Sequence, residues 1–406
     1  MEILEKAKKI LRQPVCDNCL GRQFAQLLHG YNNKERGKII RTIIAMSIDK
    51  EDCKTDMDLS NFSGFKFHNF ELKEKLIEKK CSLCNNIFEK LDIFSKKAIE
   101  KSKNIQFNTF LVGTKLSFDL ISKEEELWEH IGIDYCEPIK AEINREVGKL
   151  IEKKIKARFN PKNPDVNFII DIEKNSINIE INPIFIYGEY QKLIRGIPQT
   201  KWPSKKYKTS VEEIIAKPFM LATHGKEHKF HGLGREDIDA RCLAWRPFVL
   251  EIIEPKIRNI NLKEISKKIS NKIKVKKLRI SNISEVRKIK EARVDKTYHA
   301  IVECDKKITK NDLEKLKSLI TQIRQKTPTR VLHRRADKLR KRNVKYIKAK
   351  LINSKKFNLV VRCEAGLYVK ELISGDNDRT KPSVSEILGC NCRCKELDVI
   401  KIERYI

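Results

Sequence analysis

No stretch of about 18 apolar residues occurs anywhere in the 406-residue chain, so nothing in it is expected to span a bilayer as a helix. Nor is there a glycine-rich turn of the kind that cradles a dinucleotide, a methyl donor or a phosphate after a strand. Negative charge is scarce as well: 55 Asp and Glu face 86 Lys and Arg, a formal excess of +31. Internal repeats and low-complexity linkers are missing, and the first residues, Met1-Glu-Ile-Leu-Glu-Lys-Ala-Lys-Lys9, read as an amphipathic helix and not as a signal peptide. These shortages argue against a membrane protein, a repeat protein and an enzyme built around an organic cofactor. A cationic surplus of this size is the footprint of a polyanion binder, because Lys and Arg displace counterions from a phosphate backbone.

Twelve cysteines in such a chain point to reduced thiols and metal ligation instead of a disulfide framework, and so to a cytoplasmic setting. Cys16-Asp-Asn-Cys19 and Cys81-Ser-Leu-Cys84 form two Cys-x-x-Cys pairs. Each turn aims two thiolates at one ion, and two turns complete a closed four-sulfur zinc site of structural type. The long separation of the pairs makes the site a clip between distant segments. Cys390, Cys392 and Cys394 alternate and read as buried core. His224, His228 and His231, interspersed with Lys226 and Lys229, suit phosphate contact better than a metal.

Periodicity divides the chain into an α+β arrangement. Ile3, Leu4, Ala7, Ile10 and Leu11 share a helical face, and a mixed helical, zinc-bearing accessory region is expected over 1–104. Ile143, Val147, Leu150, Ile151 and Ile155 mark a second helix. It is followed by a hairpin of strands over 166–173 and 177–182, in a unit expected over 105–205. From 206 to 406, helices at Val211–Lys217 and Leu313–Ile323 alternate with strands at Pro247–Ile253, Tyr298–Cys304 and Phe357–Cys363. A mixed-sheet domain is expected there, with the basic run His333–Arg342 within it.

The segment His231-Gly-Leu-Gly-Arg-Glu-Asp-Ile-Asp-Ala-Arg241 crowds five charged residues into seven positions. An Asp between Arg235 and Arg241 stays ionised, since neighbouring cations favour the carboxylate. Asp237 and Asp239 are both candidates, because residues two apart share a face of an extended segment, and Glu236 would face away.

Gly234–Arg241, followed by Arg246-Pro-Phe-Val-Leu-Glu251, resembles the signature of the tRNA pseudouridine synthases of the TΨC arm, the archaeal and eukaryotic family acting on uridines 54 and 55. Four further segments are similar to that family, in family order: Arg195-Gly-Ile-Pro-Gln-Thr-Lys-Trp202, Lys296-Thr-Tyr-His-Ala300, Gln325–Arg335, and Glu364–Lys370 running on to Pro382. Asn163–Val166, the hairpin, and Ile186-Tyr-Gly-Glu-Tyr-Gln191 resemble its THUMP RNA-binding module. The resemblance spans essentially the whole chain.

It implies a mixed-sheet pseudouridine synthase domain, no organic cofactor and no small-molecule cosubstrate. The partner is tRNA, and the chain is taken as a monomer. Asp237 is the implied essential carboxylate, with Asp239 the runner-up; Tyr298 stacks on the flipped base and Lys370 pairs with Asp237. Arg235, Arg241, Arg334, Arg335, Tyr368 and Arg379 are the implied RNA contacts. Some relatives carry a cysteine-bearing insert after the position of Trp202; here Pro203–Lys208 is short and cysteine-free, and no second metal is expected in that segment. The competing reading is a THUMP-containing tRNA-binding protein, or a methyl- or thio-transferring enzyme. The last two would need the donor loop that is missing.

Overall fold

The computed structural model describes residues 2–51, 55–70, 75–202, 204 and 206–403; the side chains of Glu51 and Arg334 are outside the described part. The chain divides into two compact units, Met1–Asn182 and Pro183–Ile406.

The first unit runs α1 (Ile3–Ile10), α2 (Asp17–Gly21), α3 (Asn33–Glu51), α4 (Leu91–Ser102), β1 (Thr109–Lys115), α5 (Phe118–Ile131), α6 (Ile139–Lys154), β2 (Arg158–Phe159), β3 (Val166–Asp171) and β4 (Ser176–Ile181). The sheet order is β2-β1-β3-β4, with β1 parallel to β2 and β3, and β3 antiparallel to β4. The expected hairpin is present, with Phe168 opposite Ile179 and Ile170 opposite Ile177.

Alternation along β1 and β3 puts Phe110, Val112, Val166, Phe168 and Ile170 on the covered face, where α6 contributes Ile143, Val147 and Ile151. Each such side chain contributes about 1.5–3 kcal/mol on leaving water. The expected division at 104/105 is not a structural boundary. One core cluster runs from Ala7 to Ile177, and α4 hangs on the hairpin through Lys97 Nζ to the Asn175 carbonyl and Lys101 Nζ to that of Ile177, both at 2.6 Å. In α1, Ala7 and Ile10 are buried, whereas Ile3 and Leu4 are exposed.

The second unit comprises β5 (Ile184–Lys192), α7 (Val211–Thr223), β6 (Glu227–Gly232), β7 (Arg241–Ile253), α8 (Leu262–Lys267), β8 (Ile273–Ser281), α9 (Ile283–Glu291), β9 (Lys296–Cys304), α10 (Lys310–Lys315), β10 (Gln322–Gln325), β11 (Arg340–Asn353), β12 (Lys356–Cys363), α11 (Val369–Ser374), β13 (Thr380–Lys381), α12 (Val384–Leu388) and β14 (Cys392–Ile402). Its sheet has the order β13-β10-β11-β12-β9-β14-β7-β5-β8, with β6 pairing β7. Among the described residues its only parallel pair is β14 with β7, so the mixed sheet expected of this half is found.

Two expectations need correction. Ile186–Gln191, assigned to the THUMP-like unit, lies in β5, paired on its two edges with β7 and β8 of the second unit, and nearly all of its residues are buried. The helix expected over Leu313–Ile323 stops early. α10 gives way to a 3-10 turn at Leu316–Leu319, and Ile323 enters β10, because its apolar residues serve two elements in succession.

Candidate active site

Asp237 sits on a turn between β6 and β7, held from beneath. Glu236 is buried and forms an ion pair with the equally buried Arg246 (Nε to Oε2, 3.0 Å). The Tyr190 hydroxyl of β5 lies 3.0 and 2.9 Å from the two Glu236 oxygens, to which it donates. Gln199 donates to the Tyr190 oxygen at 2.8 Å and to the Gly234 carbonyl at 2.9 Å, and Arg246 Nη1 donates to the Leu233 carbonyl at 2.7 Å. Lys192, wholly buried at the end of β5, donates to the carbonyls of Ile197, Asp237 and Ile238 at 3.0–3.1 Å. The turn closes with Ala240 N–H on the Asp237 carbonyl (3.0 Å).

Gly234 has φ +69, the left-handed region that glycine enters at least cost. A Cβ there would stand 2.8 Å from Lys296 Nζ. Burial, with the nearby charge of Arg246, pulls Lys296 down to about 8.

Above the turn the carboxylate of Asp237 is partly open. Arg330 grips it in a two-pronged fork, Nη1 to Oδ1 at 3.2 Å and Nη2 to Oδ2 at 3.1 Å, while Arg330 Nε donates to buried Glu371 at 2.7 Å. The Lys370 ammonium, at the start of α11, stands 3.7 Å from Asp237 but 2.7 and 2.6 Å from the oxygens of Asp239. The expected Lys370–Asp237 pair is therefore the longer of two contacts. The turn geometry, not an extended segment, brings both aspartates to one lysine. Partial burial opposes ionisation of Asp239, yet Lys370 outweighs it and holds that carboxyl below the ordinary range.

Arg330 is the residue that sequence reasoning missed. It lies in the matched Gln325–Arg335 segment, but three arginines occur there and spacing alone does not choose among them. Its 3-10 turn, Thr329–Arg334, is tethered by Thr329 N–H on Asp376 Oδ2 at 2.9 Å.

Gln325 was likewise passed over. This fully buried residue of β10 exchanges two 2.9 Å hydrogen bonds with the backbone of Tyr368, fixing the strand-to-helix step that presents Lys370.

Tyr298 is half-buried on β9, opposite Val399 of β14 and Val361 of β12, and burial pushes its phenol up. Arg235 is exposed, with no hydrogen-bond or ion-pair partner among the described residues. Arg335 donates to the Tyr368 hydroxyl at 2.8 Å. Two expected RNA contacts instead spend their forks on protein acceptors. Arg241 makes a two-pronged pair with Asp398 (3.0 and 2.6 Å), and Arg379 binds the Thr327 carbonyl (3.1 and 2.9 Å) and Asp337. His228 and His231 face Glu212 and Glu251 at 3.6 and 2.8 Å, which ties β6 into the fold.

In the first unit, the sulfurs of Cys16, Cys19, Cys81 and Cys84 lie within 4.8 Å of one another, with Cys16 and Cys84 at 3.6 Å. Ser82 N–H on the Pro14 carbonyl (2.8 Å) stitches the two knuckles, and Cys81 N–H meets Asn86 Oδ1 at 2.8 Å. Four buried or half-buried thiols converging on one point fit a metal ion with no open position.

The family model described as the Pus10 C-terminal domain matches residues 185–403, more than half of the chain. That of the archaeal Pus10 THUMP domain matches residues 94–171. The chain belongs to the Pus10 family of tRNA pseudouridine synthases. Relatives named tRNA pseudouridine synthase Pus10 include one from Pyrococcus furiosus, 42% identical over 98% of this chain and 98% of its own. Another, from Methanocaldococcus jannaschii, is 42% identical over 99% of this chain and 94% of its own. The THUMP match ends before β5, in keeping with that strand's place in the second sheet. Among the described residues no helix is long and apolar enough to cross a membrane.

Proposed function

We propose that the protein isomerises uridine to pseudouridine in the TΨC loop of tRNA, at position 55 and at position 54, with Asp237 as the essential carboxylate. The observation that carries this reading is the Asp237 side chain, paired with Arg330 at an open rim while its backbone is fixed from below. The reaction breaks the C1′–N1 bond, turns the uracil and forms C1′–C5; a proton leaves C5 and one is gained at N1, so no redox partner or group donor is needed.

Asp237 attacks the nucleotide or takes a proton from the sugar. Arg330 holds its two oxygens in one orientation, so little reorganisation remains at the moment of reaction. Lys370, shared with Asp239, keeps positive potential over the pocket and draws the phosphate of the extruded nucleotide. Flipping a base costs a few kcal/mol. Arg235, exposed beside Asp237, occupies the vacated stack, and Tyr298 supplies a ring face for the base. Arg335 extends the cationic track to the flanking phosphates, whereas Arg241 and Arg379 serve as positioning residues. Cys16, Cys19, Cys81 and Cys84 hold one structural zinc. The protein works as a monomer in the cytoplasm.

Unmodified tRNA incubated with wild type and with Asp237→Ala, then mapped for pseudouridine at each position, tests the assignment. The variant should yield none at 54 or 55 while binding tRNA and melting like wild type. A fully active variant would sink the role of Asp237.

A further inference from the structure

β9 ends at Cys304 and β14 begins at Cys392, and these two residues are register partners. Their sulfurs are 3.3 Å apart, Cys390 Sγ lies 3.7 Å from Cys392 Sγ, and all three fall within 4.8 Å of one another. All three residues are buried. We propose that Cys304, Cys390 and Cys392 form a second metal site, a three-thiolate pocket for a soft, thiophilic d10 cation of the zinc type.

Three features separate this cluster from ordinary core cysteines. Elsewhere in the unit, buried Cys242 points to the Ala244 carbonyl and half-buried Cys394 to that of Glu396, each at 3.4 Å. These three turn toward one another instead. Their spacing resembles that of the four-cysteine knuckle, where Cys16 and Cys84 stand at 3.6 Å. Sulfurs bound to one zinc at about 2.3 Å in a tetrahedron are separated by about 3.8 Å.

The third feature is that the pocket is built before any ion arrives. Asn391, between two of the ligands, is held on both sides. Its N–H and Nδ2 donate to the two oxygens of Asp305 at 3.0 and 2.9 Å, and its carbonyl accepts from Asp305 N–H at 3.1 Å. Ser385 fixes the other two backbones, taking Cys390 N–H on its carbonyl (3.2 Å) and Cys392 N–H on its hydroxyl (2.9 Å).

The third sulfur of the 390–394 segment, on Cys394, is turned toward the Glu396 carbonyl instead. The ion is therefore three-coordinate, or completes a tetrahedron with a solvent ligand. Its place in the fold gives it a bracing task. It fastens the start of β14 to the end of β9, and further along β14 Asp398 grips Arg195 and Arg241, the arginines that hold the far side of the Asp237 turn.

Full-length protein titrated with zinc, freed of excess and weighed intact by non-denaturing mass spectrometry decides the matter. The expected contents are two ions for wild type, one for Cys81→Ser, one for Cys392→Ser and none for the double variant. Cys81→Ser leaves the second cluster untouched, so it reports on that cluster even where Cys392→Ser does not fold. Cobalt added to Cys81→Ser should also give an intense near-ultraviolet thiolate-to-metal band. A Cys81→Ser chain that folds and binds no ion overturns the proposal. So does wild type two hydrogen masses light at this cluster, since a Cys304–Cys392 disulfide would consume two of the ligands.

Discussion

Glu236 and Asp237 are adjacent in sequence, yet they face two differently built regions of the same turn. Below, Glu236 is sealed from water, matched to Arg246, and its oxygens are occupied by Tyr190. Above, Asp237 and Arg330 are each about one-third exposed, and Lys370 divides itself between two aspartates. The lower region places polar groups where loss of one partner leaves a dry, unpaired charge. The upper region keeps charge at a wet rim, where an incoming polyanion can compete for Arg330 and Lys370. Rigidity and reactivity are thus assigned to opposite sides of one peptide.

The largest effect should come from breaking the lower side. Arg246→Met leaves Glu236 buried without its cation, a loss of about 3–5 kcal/mol. Urea unfolding should register this as a lower midpoint, with activity falling in proportion to the folded fraction. A midpoint unchanged from wild type would show that the two regions do not differ as described. Breaking the upper side should do the reverse. Arg330→Ala is expected to cost less, about 1–3 kcal/mol, because its fork on Asp237 is a rim pair while its Nε bond to buried Glu371 is lost as well. The turnover rate should fall roughly 100-fold as the carboxylate loses its orientation. Arg330→Lys should recover only part of that rate, because an ammonium cannot make the two-pronged contact. Single-turnover measurements with saturating enzyme separate this from weaker tRNA binding.

The contrast also explains what the sequence made legible. The hairpin at 166–181, the strands on β7, β9 and β12, and the pairing of two distant cysteine knuckles follow from period-two alternation and ligand spacing, both local properties. Asp237 stood out through the resemblance of its segment. The partner of Asp237 did not, because Arg330 lies 93 residues away and reaches it only through the tertiary fold. The same holds for Lys192, Gln199 and Gln325, polar residues whose burial under the site gives no signal in the chain. β5 was placed in the wrong unit because its segment resembled the THUMP module; what decides is the pairing with β7 and β8. Cys304 was read as the end of a core strand because the other two members of its cluster lie some 90 residues downstream.

Gly234 joins the two regions and offers a smaller, sharper test. Its left-handed backbone and the 2.8 Å approach of Lys296 to a would-be Cβ both oppose a side chain. The lysine end can swing away, so the backbone is the main term, and Gly234→Ala should destabilise by about 1 kcal/mol. Because the strain lies just before Arg235, the single-turnover rate should drop by more than the midpoint shift accounts for. A variant with lowered stability and an intact rate would mean that the turn absorbs the strain without moving Asp237.

The last expected effect concerns pH. The Lys296 ammonium is held down to about 8, against an ordinary 10.5, chiefly by burial and then by Arg246. Below about 8 the group is charged in both folded and unfolded chains, and folding carries the full cost of enclosing it. Between the two values the unfolded chain keeps a proton that the folded chain releases, so unfolding takes up a proton and stability gains as pH rises. Lys296→Met has no such proton to exchange. The urea midpoint of wild type, compared with that of Lys296→Met, should therefore improve steadily between pH 8 and 10, by an amount that surface titrations shared by both chains cannot supply. Parallel curves for the two proteins would place the Lys296 ammonium in water, and with it the lower region's claim to be dry at its edge.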